Sequence, residues 1–239
     1  MSQDAIRTLR DLIAESDNIV FFGGAGVSTE SGIPDFRSVD GLYHQQYKYP
    51  PETILSHSFF VAHPDEYYEF HRAKLVVEGV KPNRAHLRLA QLEAEGKLKA
   101  VITQNIDGLH QAAGSKNVLE LHGSIHRCYC MQCGRRHDPD VMNFGQGIPR
   151  CSCGGIIRPD IVLYEEALDQ EVLEKSVHYI RHADILIVGG TSLAVYPAAG
   201  LLNYYRGNKL VLVNRSATPY DSAANLVIHE KIGDVFSQI

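Results

Sequence analysis

The sequence predicts an α/β fold: a large domain built on a doubly wound parallel sheet, carrying a small module of helices and paired cysteines. Three observations carry that prediction. Short apolar runs alternate with stretches of helical periodicity, the pattern of strands joined by helical crossovers. Several of those runs stop at glycine or polar residues, which is where an open sheet of this kind places its ligands. All five cysteines fall between positions 128 and 153, so one stretch differs chemically from the rest.

The elements follow in order. Residues 3 to about 16 carry Ile6, Leu9, Leu12 and Ile13 at helical spacing, with Ser2 or Asp4 available as a cap. Asn18-Ile19-Val20-Phe21-Phe22 is the first strand, and Gly23-Gly24-Ala25-Gly26-Val27-Ser28-Thr29 is a small-residue turn expected to open a helix. Glycine lets a backbone approach a ligand closely, and a helix start aims free N–H groups at an anion. A phosphate turn and a plain strand-to-helix crossing both fit these residues. The segment then reaches Pro34-Asp35-Phe36-Arg37, which puts an acid, an aromatic and a base within three residues.

Between Ser38 and Pro82 the chain turns aromatic and histidine-rich, punctuated by Pro50-Pro51 and Pro64, and reads as an excursion of short helices. Asn83 caps a helix through about Ala94 that Gly96 ends. Strands follow at 99–103 and 118–121, stopping at Gln104-Asn105-Ile106-Asp107 and at His122-Gly123. Past the cysteines, a strand is expected at Ile161–Tyr164 and a helix at about 169–182. Next comes a strand at 184–188 ending in Gly189-Gly190-Thr191-Ser192, then a helix from Pro197. Strands at 210–213, ending at Asn214, and at 226–228 precede a terminal helix.

The composition is that of an ordinary globular protein, with 44% hydrophobic and 21% charged residues over 239 positions. A net charge of −5 leaves no cationic excess for a sequence-independent grip on nucleic acid. The first residues lack the basic-then-apolar layout of a secretion signal, and no apolar run approaches the ~20 residues of a membrane span. A cytoplasmic protein is expected.

Cys130-x-x-Cys133 and, after 17 intervening residues, Cys151-x-Cys153 fit a four-thiolate zinc ribbon, with Gly134 and Gly154-Gly155 supplying turns. A closed four-sulfur shell leaves no position for a substrate, so the metal is expected to be structural. Cys128 is left over, and is expected to face away from the metal as a buried, inert thiol.

Local features leave the polar strand ends ambiguous. His122 suits a general base that titrates near pH ~6.5, and equally suits a turn histidine without a role. Gln104, Asn105 and Asp107 can bind a carboxamide, orient a water or hold ribose hydroxyls, and can equally cap the helix expected near Asp107. Thr191-Ser192 and Asn214 can each be mere strand-end chemistry. Four polar strand ends in one sheet are better explained by one extended ligand.

Taken together, these stretches resemble the sirtuin family of NAD-dependent protein deacylases. The resemblance rests on Gly24-Ala25-Gly26-Val27-Ser28 through Pro34-Asp35-Phe36-Arg37, Thr103-Gln104-Asn105-Ile106-Asp107, His122-Gly123, the cysteine pairs and Gly190-Thr191-Ser192-Leu193. The motifs follow the family's order and spacing from about residue 4 to the end.

The resemblance implies roles. Gly24, Ala25, Gly26, Thr29, Asp35 and Arg37 fall on the grip for the NAD diphosphate and neighbouring ribose, and Phe36 covers the site that nicotinamide vacates. Asn105, Ile106 and Asp107 hold the nicotinamide carboxamide, and Gln104 contacts the ribose. Gly190, Thr191, Ser192, Asn214 and Ile232 line the adenosine half. The acyl-lysine oxygen attacks the nicotinamide ribose, and His122, with Asn105 and Asp107 as the other catalytic residues, serves as base for a ribose hydroxyl. The acyl group ends on ADP-ribose. The substrate pairs as a strand with Val162, Leu163, Tyr164 and Glu165.

Two departures from the family pattern bear on substrate choice. Tyr164-Glu165-Glu166 stands where many members have Phe-Gly-Glu, and the acidic pair is expected to favour basic residues near the lysine. Members that remove acidic acyl groups carry a Tyr-x-x-Arg pair, whose counterparts here are His71 and Lys74. Lysine is not an equivalent fork for a carboxylate, so uncharged acyl groups are expected.

The expected protein is therefore a sirtuin-like NAD-dependent protein-lysine deacetylase. Residues 1–38, 83–127 and 155–239 form its Rossmann-like domain; the 39–82 helical excursion and the 128–154 zinc module form its small domain. NAD is the co-substrate and Zn2+ structural. Acetylated proteins or peptides are the partners, without a membrane or direct nucleic-acid binding, and the chain is expected to be a monomer. The alternatives are a mono-ADP-ribosyltransferase using the same NAD site, or a noncatalytic NAD-sensing or zinc-ribbon interaction module. A hydride-transfer dehydrogenase fits less well, because the turn lacks a full G-x-G-x-x-G.

Overall fold

The computed structural model describes residues 2–35, 41 and 48–239. Phe36 and Arg37, both expected at the cofactor, lie outside the described residues.

Among the described residues the strands are β1 (Ile19–Gly23), β2 (Leu98–Thr103), β3 (Val118–Glu120), β4 (Gly123–Cys130), β5 (Arg136–His137), β6 (Ile157–Ile161), β7 (Ile185–Gly189), β8 (Leu210–Val213) and β9 (Leu226–Ile228). Six form one sheet in the order β3-β2-β1-β7-β8-β9, and every neighbouring pair is parallel. β1, β7 and β8 are buried along their whole length. That is why they read as unbroken apolar runs: a parallel sheet is covered on both faces.

Successive side chains alternate between the faces. Ile19 and Phe21 enter one core with Leu9, Leu89 and Val235, supplied by helices Ser2–Ala14, Arg84–Ala94 and Ile232–Phe236. Val20 and Phe22 enter the other with Ile180, Leu186 and Leu212. Strand order reverses between β1 and β7, so a crevice opens at their carboxyl ends. Gly24 and Gly190 form its two lips.

A second, antiparallel sheet runs β5-β4-β6. Its Cys128, Cys130, Ile157 and Ile161 share one core with Phe59, Phe60, Tyr67 and Tyr68, which come from helices His57–Ala62 and Pro64–Phe70. The cysteine segment and the helical excursion are therefore packed as one body. No helix among the described residues is long and apolar enough to cross a membrane.

Several expected elements are corrected. The strand expected at Ile161–Tyr164 is β6, Ile157–Ile161, and it belongs to the small sheet. Pro159 hides it in the sequence, but β6 is an edge strand, where a missing N–H is tolerated. The glycine turn opens no α-helix. It makes two short 3-10 turns, Ala25–Val27 and Thr29–Ser31, and Gly32 at φ +94° ends them in the left-handed region. After Asp107 the helix is a single turn, Leu109–Ala112, and the segment after Pro197 is a 3-10 helix, Ala198–Tyr204.

Cys128 is buried and outside the four-cysteine cluster, but not for the expected reason. Residues two apart on a strand share a face, so Cys128 is separated from the cluster by its distance along β4. Its thiol donates to the His137 carbonyl.

Candidate active site

The glycines of the first turn serve the approach of two loops. Gly26 N–H donates to the Gly190 carbonyl at 2.8 Å, and a Cβ on Gly26 would lie 2.9 Å from Gly190 Cα. Asn83 holds the same turn from outside. Its Nδ2 donates to the Val27 carbonyl at 2.7 Å, while its Oδ1 caps the helix Arg84–Ala94.

At the end of β2, one small cluster links the polar residues. Asn105, almost fully buried, donates through Nδ2 to Ser28 Oγ at 3.1 Å. Ser28 Oγ in turn donates to Asp107 Oδ2 at 2.6 Å. The other Asp107 oxygen accepts from Leu109 N–H at 2.9 Å. Asp107 thus caps the following turn with one oxygen and accepts from Ser28 with the other. Ser28, absent from the expected site residues, is the hub. Only its place in the glycine motif signalled it.

His122, two residues past the end of β3, lines the same cleft as this cluster. Its Nδ1 lies 2.9 Å from the Gln104 carbonyl, and a carbonyl can only accept, so Nδ1 carries the proton and Nε2 has a free lone pair. Burial lowers the pKa of His122 below the usual 6.5, opposed by the bond to Gln104. The imidazole is neutral at pH 7, with its basic nitrogen available.

Gln104 Nε2 reaches Thr191 Oγ1 at 3.0 Å, and Asn214 Oδ1 accepts from Thr191 N–H at 2.9 Å. These bonds tie the β2, β7 and β8 ends together. Asn214 Nδ2 is buried without a partner among the described residues.

One cleft of about 930 Å³ joins these groups. It is lined by Gly24, Ala25, Gly26, Thr29, Asp35, Gln104, Asn105, Ile106, Asp107, His122, Gly190, Thr191, Ser192, Asn214 and Ile232. Val162, Leu163, Tyr164 and Glu165 line the same cleft from the small-sheet side. Lys74 also lines it. His71 is turned away, fully buried, and bonded through Nε2 to Asn143 Oδ1.

The acidic pair is divided. Glu166 accepts two bonds from Arg158, at 2.7 and 2.9 Å, and others from Leu163 N–H and the His57 ring. Burial alone would raise its pKa, but the bonds from Arg158, Leu163 and His57 outweigh this and hold it down at about 2. Its charge is satisfied inside the protein, whereas Glu165 is exposed and bonds Ser58 through both carboxylate oxygens.

The four sulfurs of Cys130, Cys133, Cys151 and Cys153 lie within 4.8 Å of one another. The Cys130–Cys153 and Cys133–Cys151 separations are 3.5 and 3.8 Å, far too long for disulfides. A tetrahedral zinc with ~2.3 Å bonds spaces its sulfurs ~3.8 Å apart, so the residues fit the ion.

A model of the Sir2 family matches residues 24–197. A Clostridium acetobutylicum protein called an NAD-dependent protein deacetylase is 58% identical over 99% of this chain and 98% of its own length. The chain belongs to the Sir2 family. A Cutibacterium acnes relative with the same name is 56% identical over 95% of this chain and 94% of its own. Among solved Sir2 structures, one with deacetylated p53 peptide and 3′-O-acetyl ADP ribose superposes with a TM-score of 0.90 at 40% identity. It covers 98% of this chain and 96% of that one. Another, of Sir2 with p53 peptide and NAD+, gives 0.87 at 40% identity with the same coverage. The Sir2 fold accounts for the parallel sheet, the crevice at its switch point and the cysteine-bearing module together.

Proposed function

We propose that this protein is an NAD-dependent protein-lysine deacetylase, converting acetyl-lysine and NAD to lysine, nicotinamide and O-acetyl-ADP-ribose. The observation that carries this reading is His122, which presents a neutral Nε2 to the same cleft as the Asn105–Ser28–Asp107 cluster.

The residues divide the work. Gly24, Ala25, Gly26, Thr29 and Asp35 hold the diphosphate end of NAD, and Gly190, Thr191, Ser192, Asn214 and Ile232 its adenosine end. The unpartnered Asn214 Nδ2 supports that fit. Asn105, Ile106 and Asp107 take the carboxamide, with Ser28 fixing both polar side chains, and Gln104 takes the ribose. NAD supplies the electrophilic ribose carbon and a leaving group. His122 Nε2 takes a proton from a hydroxyl placed in the cleft, while its Nδ1–H stays on the Gln104 carbonyl. Such help contributes ~10²–10⁴ in rate.

Cys130, Cys133, Cys151 and Cys153 hold a structural zinc ion outside the reaction path. The substrate lysine enters beside Val162, Leu163, Tyr164 and Glu165. His71 is buried on Asn143 and Lys74 lacks the two-pronged grip of an arginine on a carboxylate, which supports a preference for uncharged acyl groups. The protein acts in the cytoplasm as a monomer without nucleic acid, in keeping with its net charge of −5 and unbridged cysteines.

The test is nicotinamide release from NAD with and without an acetyl-lysine peptide. Release that depends on the peptide is expected. Release without it, accompanied by labelled protein, means ADP-ribosyl transfer, and no release in either case overturns catalysis.

A further inference from the structure

Among the described residues, Glu165 and Leu193 are the two non-glycines with positive φ, at +76° and +54°. A Cβ makes that conformation unfavourable, so a glutamate there has to be held. Its own carboxylate does so. Ser58 N–H donates to Glu165 Oε2 at 2.9 Å and Ser58 Oγ–H to Oε1 at 3.0 Å, fixing the side chain at two points on the helix His57–Ala62.

Neighbouring main-chain groups are already committed. Tyr164 N–H donates to the Leu55 carbonyl at 2.9 Å, and the Tyr164 carbonyl accepts from His57 N–H at 3.0 Å. Leu163 N–H goes to Glu166 Oε2 and its carbonyl accepts from Glu166 N–H. Glu165 N–H and its carbonyl have no partner among the described residues, and Glu165 lines the cleft. An extended peptide laid along this segment finds its free main-chain hooks at 165, and their direction is set by the φ that Ser58 enforces.

We infer that Glu165 is a positioning residue for the acyl-peptide: its clamp on Ser58 keeps the backbone at 165 left-handed and aims its N–H and carbonyl at the incoming strand. The inference rests on the deacetylase reading and extends it. Glycine reaches the same φ without help, but leaves the turn free to move. Glu165 substitutes an anchored turn for a permissive one.

The experiment compares Glu165→Ala, Glu165→Gly and Glu165→Gln in the full chain with zinc bound. Steady-state rates are measured with one acetyl-lysine peptide, and amide exchange at 163–166 is followed without it. The peptide KM is expected to rise about tenfold in Glu165→Ala and about threefold in Glu165→Gly, and to stay within about twofold in Glu165→Gln, whose amide can still bridge Ser58 by accepting from its N–H and donating to its Oγ. The KM for NAD stays within about twofold throughout, and exchange at 163–166 quickens about tenfold in Glu165→Ala while the parallel sheet is unchanged.

An unmoved peptide KM in Glu165→Ala overturns the inference, as does an NAD KM that rises with it. A Gln variant as poor as the Ala variant overturns it too, because charge and not the clamp would then be at work. Absence of peptide-dependent nicotinamide release by the unaltered protein sinks the deacetylase reading instead, whatever the exchange rates show.

Discussion

The two walls of the cleft are built by different means. On the sheet wall, Gln104, Asn105, Asp107 and His122 follow strands of the parallel sheet, and mostly neutral hydrogen bonds orient them. The module wall has its own apolar core and adds charge and sulfur: four clustered cysteines, the Glu166–Arg158 fork and the Glu165–Ser58 clamp. The sheet wall rests on apolar packing and neutral bonds, whereas the module wall adds to its own apolar core a cysteine cluster able to hold an ion and two bonded carboxylates. In the proposed function, chemistry falls on the first wall and substrate capture on the second.

The largest expected effect breaks the sheet wall without touching the module. His122→Ala should cut acetyl-peptide turnover by ~10²–10⁴ and leave the circular dichroism and melting temperature nearly unchanged. Retained turnover would remove His122 from the chemistry.

Next comes the converse. Stripping zinc with a chelator, or Cys151→Ser, should open residues 131–150 to protease and abolish turnover of the peptide. Most of the far-ultraviolet dichroism should survive, because the two sheets have separate cores. Loss of all structure would show that the walls are not independent.

Acid sharpens the contrast further. His86 and His110 are buried beneath the sheet wall, and burial lowers their pKa values to about 4 and about 3. The unfolded chain therefore takes up protons first, and stability from these two is lost as pH falls below the ordinary histidine value of 6.5. Glu166, held at about 2 against an ordinary 4.5, contributes stability above pH 4.5 that is lost as pH falls toward 2. Urea midpoints measured from pH 8 to pH 2 should decline in two overlapping stages, from pH 6.5 on the histidines alone and from pH 4.5 on the histidines and Glu166 together. Glu166→Gln should flatten only the lower one, and an unaltered lower stage would show that the fork does not hold the module wall.

The smallest effect concerns the glycine turn. Asn83→Ala removes a helix cap worth about 1 kcal/mol together with the bond to the Val27 carbonyl. A modest drop in melting temperature is expected with a several-fold rise in the KM for NAD. A stability change without any change in KM would mean that the turn holds its shape unaided.

Much of the sheet wall is legible in the sequence because a parallel strand buried on both faces must be apolar throughout. Such runs as Ile185–Gly189 and Leu210–Val213 leave little choice, and polar residues stand out where they stop. Cysteine spacing is as plain, since four thiolates around one ion require pairs on short turns. Other features are hidden. Pro159 disguises β6, because only the tertiary structure shows that this strand is an edge. Ser28 looks like one more small residue in a turn until it meets Asp107, 79 positions away.

Local pattern, then, determined the strands of the parallel sheet, the ends where polar groups collect, the cysteine cluster and the family. It did so because periodicity and ligand spacing act between residues close in the chain. Tertiary structure decided which nitrogen of His122 is basic, that Glu166 is spent on Arg158, and that Glu165 is held by Ser58 in a conformation a glutamate would otherwise avoid. Each of those depends on a hydrogen bond whose partner lies elsewhere in the chain, and no local periodicity encodes where that partner will be.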